Sequence, residues 1–364
     1  MTVVFAGGGT GGHLYPAIAI ADALRERRAR IAFIGTADRL EASIVPKAGY
    51  DLHAIASASL PRGLSLELLR TIVANVAGTF QSLRLLGRER PDLVIATGGY
   101  VCFPVALAAR IRRFAGLSRA PLVLLEPNTV PGLTNRLLAP IVDEVWLAPY
   151  AAQPSTSAKY RTTGIPIRAT LRALPRREDA IARLGLDPSL RTLVAIGGSQ
   201  GARSLNDALI RLLRDGGLPA GWQLLALTGT NDFERARSEL PGARAYLDDM
   251  ADAYAAGDLI LARAGASTLG ELAALGKPSI LIPYPHAAEG HQAENAARFA
   301  DANAAAVLTD AQLQGGGLPS LLAQTIEPRR LRELAEGAER LGEGDPLGAI
   351  LARVHTLTAR REHE

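Results

Sequence analysis

Short apolar runs recur along the chain, alternating with longer amphipathic stretches. Residues 3–6, 31–34, 93–96, 122–125 and 145–148 are apolar throughout, too short for helices and without the alternation of a half-exposed strand. Such runs read as strands buried on both faces, of the parallel type, with helices between them. The pattern starts again at 193–196 and continues at 223–227, 259–261, 279–282 and 305–307, with helical periodicity at 204–214 and 268–275. An α/β protein of two doubly wound parallel-sheet domains fits this better than one large sheet. The boundary is expected near Gly164-Ile165-Pro166, giving domains 1–165 and 166–364. Helices expected at 327–341 and 347–361 either cap the second domain or return to the first.

Composition narrows the class. With 364 residues, 48% of them hydrophobic, the chain can fill two cores. No apolar stretch approaches the ~20 residues that cross a bilayer, and no basic segment leads into an apolar signal region, so a cytoplasmic protein is expected. A lone Cys102 excludes an internal disulfide, and six scattered histidines offer no zinc-ligand spacing. Residues 1–165 hold 18 Lys/Arg against 11 Asp/Glu, whereas residues 166–364 hold 22 against 25. The basic half suits an anionic partner, either a phosphate-bearing ligand or a membrane surface, or is a solvated Arg-rich face.

The candidate chemistry sits where the apolar runs end. Residues 7–13, GGGTGGH, follow the first run, and a helix is expected to begin near Pro16. Such a turn aims backbone N–H groups and a helix N-terminus at an anion. It lacks the Gly-Lys-Ser/Thr ending of an ATP-binding loop and is no convincing dinucleotide fingerprint. His13 is placed as a general base or as a helix-capping residue. Residues 196–203, IGGSQGAR, repeat the strand, glycine and helix order in the second half, with Ser199 near a pyrophosphate. In residues 264–273, AGASTLGELA, Ser267 and Thr268 are expected to cap a helix with Glu271 in its first turn. Glu271 either accepts bonds from two ribose hydroxyls or complements the helix dipole. Pro283-Tyr-Pro-His286, residues 291–295 (HQAEN), Thr97-Gly-Gly-Tyr100 and Glu126-Pro-Asn128 also follow strand ends. Tyr100 and Asn128 thereby join Thr10 and His13 on one side, with Glu126 either an acid/base or a turn-capping carboxylate.

Taken in order, GGGTGGHLYPA, ATGGYVCFP, EPNTVPGLTNR, TGIPIR, GGSQGARSLN, YLDDMADAY, RAGASTLGELAALGKPSILIPYPH and HQAENA resemble the MurG-type N-acetylglucosaminyltransferases of bacterial cell-wall synthesis, from residue 3 to about residue 310. The resemblance implies a GT-B fold, two Rossmann-like domains facing an interdomain cleft. It implies inverting transfer from UDP-N-acetylglucosamine to the C4 hydroxyl of an undecaprenyl-pyrophosphoryl-N-acetylmuramoyl-pentapeptide. The C-terminal domain would hold the donor and the N-terminal domain the acceptor and the membrane. By the same resemblance Thr10, Gly11 and Gly12 approach the donor sugar and diphosphate, Asn128 the sugar, and Arg168 and Ser199 the diphosphate. Leu247 lies against the uracil, Ala266, Ser267, Thr268, Leu269, Gly270 and Glu271 line the nucleotide, and Gln292 meets sugar hydroxyls. The family usually carries His-Glu-Gln-Asn where this chain has Leu125-Glu126-Pro127-Asn128. That departure leaves His13 the stronger candidate base, with Glu126 the other.

No Asp-x-Asp metal motif occurs, so no metal or cofactor is expected, and helix dipoles and side chains would stabilise the leaving diphosphate. The acceptor is a lipid, and residues 68–76 with Phe80, Leu83 and Arg84, together with Phe114 among Arg110, Arg112, Arg113 and Arg119, form apolar stretches flanked by arginine. These suit a peripheral contact with an anionic membrane surface at its cytoplasmic face, or a buried helix beside a basic loop. Further partners are expected among cell-wall synthesis proteins, and none among nucleic acids. The rival readings are another GT-B glycosyltransferase and a non-catalytic nucleotide-sugar-binding protein.

Overall fold

The computed structural model describes residues 1–59, 66–151, 156–198, 201–247 and 249–359. They form two compact units, one of Met1–Arg168 with the stretch from Gly344 onward, the other of Ala169–Glu343. The boundary thus falls at Arg168, and the last helix, Pro346–Ala359, belongs with the first unit.

The first unit is built on β1 (Thr2–Ala6), β2 (Arg30–Gly35), β3 (Asp51–Ala54), β4 (Leu93–Ala96), β5 (Leu122–Glu126), β6 (Glu144–Leu147) and β7 (Tyr160–Thr162). They form one parallel sheet in the order β3-β2-β1-β4-β5-β6-β7. Its helices include α1 (Gly11–Glu26), α2 (Leu40–Lys47), α3 (Leu66–Glu89), α4 (Cys102–Phe114) and α5 (Leu133–Leu138). Five of the seven strands are the buried apolar runs of the sequence; β3 and β7 were not foreseen. Both are edge strands whose residues are half-buried or exposed, so backbone pairing with one neighbour, not an apolar face, defines them.

The second unit carries α6 (Arg177–Leu184), β8 (Arg191–Ile196), α7 (Arg203–Asp215), β9 (Trp222–Leu227), β10 (Leu259–Ala262), β11 (Ser279–Leu281) and β12 (Ala305–Val307). Its parallel sheet runs β12-β11-β10-β8-β9.

Each sheet therefore has one place where strand order reverses, between β1 and β4 in the first unit and between β8 and β10 in the second. At such a switch point the two connections leave to opposite faces and open a crevice beyond the carboxyl ends. Register makes the paired ends level: Ala6 lies opposite Ala96 and Ile196 opposite Ala262. The segments starting at Gly7 and Thr97, and those at Gly197 and Arg263, consequently emerge side by side.

Two local expectations change. Helix α1 starts at Gly11, not near Pro16, so Gly11, Gly12 and His13 make its first turn and Pro16 lies inside it. Proline lacks an N–H, which leaves the Gly12 carbonyl without its helical donor. The helix Ala266–Ala274 is capped by Gly265 with no side-chain cap, so Ser267 and Thr268 are helical residues and Glu271 sits in the second turn.

Candidate active site

In the first unit the crevice is lined by the glycine loop after β1 and the TGGY loop after β4. The two interlock through backbone: Gly8 N–H donates to the Gly98 carbonyl at 3.4 Å and Thr97 N–H to that of Ala6 at 2.8 Å. Behind them the buried Cys102 thiol lies 3.0 Å from both the Ala6 and Gly98 carbonyl oxygens. Burial pushes this thiol up to about 12, so it is a neutral donor, not a nucleophile. Gly98 has φ +108°, and a Cβ there would lie 2.4 Å from His13 Nδ1. The imidazole thus packs on the TGGY backbone, a place no other residue type leaves open.

His13 is half-buried in the first turn of α1, its N–H donating to Thr10 O at 3.2 Å. Thr10 is exposed and extended, while Gly11, Gly12 and Tyr100 are partly exposed. The first N–H groups of a helix have no intrahelical acceptor and carry the positive end of its dipole. Thr10, Gly11, Gly12 and His13 therefore form one anion-favouring corner beside Tyr100. Arg168 adds a fixed cation: its guanidinium lies 4.5 Å from the centre of the Tyr15 ring, on the same helix turn.

Glu126 and Asn128 follow β5. The Glu126 carboxyl is 1% exposed. Its Oε1 accepts from Asn128 N at 2.9 Å and Asn128 Nδ2 at 3.1 Å, and its Oε2 from Asn135 Nδ2 at 2.7 Å. Burial pushes it up to about 7, against the opposing bonds from Asn128, Asn135 and Gly132. Both carboxyl oxygens are engaged inside the loop, so Glu126 bridges Asn128 and Asn135 across the turn.

In the second unit the loop after β8 folds under β9: Gly197 N–H donates to Leu227 O at 2.9 Å, and a Cβ on Gly201, at φ +89°, would lie 2.7 Å from Thr228 O. Ser199 lies outside the described residues. Across the switch point Ala266, Ser267, Thr268, Leu269 and Gly270 form the first turns of the facing helix. Glu271 is buried there and accepts from the Tyr254 hydroxyl at 2.7 Å. Gln292 Oε1 accepts from Tyr284 N at 2.9 Å, which ties the loop after β11 to the following helix, and Leu247 is partly exposed.

Residues that the sequence reading missed hold these loops together. Arg263 bonds Asp310 Oδ1 and Ser204 Oγ, each at 2.7 Å, and Ser204 donates to Asp310 at 2.8 Å. One partly buried ion pair thereby joins the segments that follow β8, β10 and β12. Burial alone would raise Asp310; bonds from Ser204, Arg263 and Gln314 outweigh it and hold the carboxyl below its usual range. The signal available was weak: an arginine directly after an apolar run and an aspartate after another. Glu41 of α2, which meets the first glycine loop, was also missed.

The apolar stretches resolve as exposed surface. Leu69, Val73 and Phe80 on α3 are 60% or more exposed, and Phe114 at the end of α4 is 97% exposed. Leu83 packs inward, and Arg110 and Arg113 pair with Asp143 at 3.6 and 2.6 Å. Large apolar side chains left exposed in this way make α3 and the end of α4 candidates for an interaction face. Among the described residues no helix is long and apolar enough to cross a membrane.

Residues 3–147 match the glycosyltransferase family 28 N-terminal domain, and residues 192–343 match the glycosyltransferase family 28 C-terminal domain. A relative from Chlorobium luteolum, named UDP-N-acetylglucosamine--N-acetylmuramyl-(pentapeptide) pyrophosphoryl-undecaprenol N-acetylglucosamine transferase, is 40% identical over 372 residues, covering 98% of this chain and 99% of its own. A protein of the same name from Halothermothrix orenii is 38% identical over 360 residues, covering 94% and 95%. Among solved structures, Acinetobacter baumannii MurG superposes with a TM-score of 0.74 at 24% identity, covering 98% of this chain and 99% of that one. The glycosyltransferase VinC, solved with dTDP, superposes with a TM-score of 0.71 at 16% identity, covering 99% and 100%.

Proposed function

Because this chain belongs to glycosyltransferase family 28, we propose that it transfers N-acetylglucosamine from UDP-N-acetylglucosamine to the C4 hydroxyl of undecaprenyl-pyrophosphoryl-N-acetylmuramoyl-pentapeptide, releasing UDP with inversion at the anomeric carbon. The full-length likeness to transferases of that name supports this substrate pair. The observation that carries it is the placement of a glycine-rich loop at the switch point of each sheet, where a parallel α/β sheet binds its ligand.

In this reading the second unit holds the donor. The helix beginning at Ala266 faces the nucleotide, Glu271 takes the ribose and Leu247 the uracil, while Gln292 meets the sugar. Tyr254 holds Glu271 in place through its hydroxyl. The first unit takes the acceptor. As the C4 oxygen attacks the anomeric carbon, its proton passes to His13, and the glycosidic electron pair leaves on the UDP diphosphate. Charge on that group is balanced by the α1 N-terminus with Thr10, Gly11 and Gly12, by Arg168, and by the loop of Ser199. Asn128, oriented by Glu126, reaches the sugar.

The exposed face of α3 and α4 would seat the first unit on anionic lipid at the cytoplasmic surface, where the acceptor resides. The decisive assay supplies UDP-N-acetylglucosamine and the lipid-linked muramyl-pentapeptide and identifies the product by mass. A disaccharide lipid and UDP are expected. No transfer to this lipid, with transfer to another acceptor, would overturn the substrate assignment.

A further inference from the structure

A buried charged group on α2 has no part in the transfer step described above. Glu41 is 0% exposed, and its carboxylate meets backbone N–H groups and one hydroxyl. Oε2 accepts from Gly9 N at 2.9 Å; Oε1 accepts from Thr36 N at 3.1 Å and Thr36 Oγ1 at 2.6 Å. The surrounding glycines make room for it. A Cβ on Gly8 would lie 2.3 Å from Glu41 Oε1, and one on Gly35 2.7 Å from its Cγ. Gly9 is held at φ +83°, the left-handed region that favours glycine.

This arrangement changes how the glycine loop works. The Gly9 N–H is turned inward to Glu41, and that of Gly8 to Gly98, so neither faces the crevice. The next committed N–H is that of His13, which donates to Thr10 O, so Thr10, Gly11 and Gly12 lie between two tied positions. The direction of that turn follows from where Gly9 is pinned.

We propose that Glu41 is a positioning residue for transfer: it pins Gly9 from beneath, and thereby aims Thr10 and the first turn of α1 at the leaving diphosphate and His13 at the acceptor hydroxyl. The role in turnover rests on the transfer reading above; the pinning itself does not.

Two variants separate the pin from ordinary packing. In Glu41→Gln the amide keeps its oxygen toward the two Thr36 donors and sets its NH2 against the Gly9 N–H, donor against donor. Thr36→Val removes one bond to Glu41 and leaves the Gly9 bond in place. Both full-length proteins are measured by amide exchange over residues 7–14, by thermal melting, and by steady-state transfer kinetics. For Glu41→Gln the expected result is faster exchange over 7–14 and a kcat lower by about 10- to 100-fold, with KM for UDP-N-acetylglucosamine within about twofold of wild type. For Thr36→Val exchange over 7–14 and kcat stay near wild type.

Wild-type kcat in folded Glu41→Gln overturns the proposal. So does a Thr36→Val variant that loses kcat in step with Glu41→Gln, since the carboxylate would then only support packing. Should Glu41→Gln fail to fold, Glu41→Asp replaces it: one methylene short of spanning both partners, it is expected to lose kcat at unchanged donor KM, and wild-type kcat would count against the pin. If the wild-type protein does not use the lipid acceptor, the transfer reading fails alone. Exchange over 7–14 then still decides the pin, because unchanged exchange in Glu41→Gln overturns it.

Discussion

Near neutral pH the Glu126 carboxyl titrates in place, because burial pushes it from 4.5 up to about 7. In the unfolded chain it ionises near 4.5, so between those values the folded state binds the extra proton. Its contribution to stability is full below about 4.5 and is lost as pH rises through about 7, a cost on the order of 3 kcal/mol. Among the described residues Asn135 Oδ1 has no partner, so rotation of that amide lets it accept from a glutamine at position 126. Glu126→Gln is therefore expected to fold and to flatten the fall in melting temperature between pH 5 and 7, as scanning calorimetry across that range would reveal. Its turnover should stay within about tenfold of wild type, because a positioning carboxyl is replaced by a near-isostere. His13→Ala should lower kcat by about 10²- to 10⁴-fold and leave UDP affinity unchanged. Equal losses for the two variants would shift the base to Glu126.

At the scale of elements, the last helix shows how a distant segment completes a unit. Pro346–Ala359 buries Ile350, Leu351, Val354 and Leu357. It is anchored by Arg353, whose Nε donates to Glu144 Oε2 at 3.2 Å, beside bonds to Glu144 from Trp146 at 2.9 Å and Arg161 at 3.1 Å. Burial alone would raise Glu144; bonds from Arg353, Trp146 and Arg161 outweigh it and hold the carboxyl below its usual range. That contribution is present above the unfolded carboxylate range and is lost as pH falls through the depressed folded value. Glu144→Ala leaves the Arg353 guanidinium uncompensated, and a loss of about 2 kcal/mol, discounted for the partial exposure of Arg353, is expected in urea melts. The α3 and α4 surface makes the opposite kind of prediction. Phe114→Glu changes a side chain that is 97% exposed, so stability should hold while flotation with acidic vesicles drops. Unchanged flotation would remove this face from membrane contact.

For the whole molecule, the two units differ in how the chain builds them. Ala169–Glu343 is continuous and encloses its own core from Leu193 to Leu322, whereas the first unit needs the stretch after Gly344. A fragment of residues 169–343 is expected to fold alone and bind UDP, measurable by calorimetry, while residues 1–168 alone should melt well below the full chain. The four buried side chains lost with the last helix represent on the order of 6 to 12 kcal/mol of burial, comparable with the stability of a domain. A separately folded 1–168 with unchanged melting would contradict this division.

Local pattern determined much of this protein. Runs such as Val3-Val4-Phe5-Ala6 are apolar on both faces, which parallel strands inside a sheet require and edge strands do not. That is why the strands built on apolar runs, edge strands β9 and β12 among them, and the two-sheet architecture were legible, while β3 and β7, edge strands without such a run, were not. The ordered motifs also carried the family, because loops at strand ends keep the residue types their chemistry needs. Tertiary structure alone decided which groups meet. Glu41 beneath Gly9, Arg263 with Asp310, and Glu144 with Arg353 are separated by 32, 47 and 209 positions. No local pattern records such pairs, since they exist only when sheet order brings their elements together. Glu126 makes the same point: its position after β5 was visible, but burial and three donors from Asn128 and Asn135 turned it into the clasp of its loop.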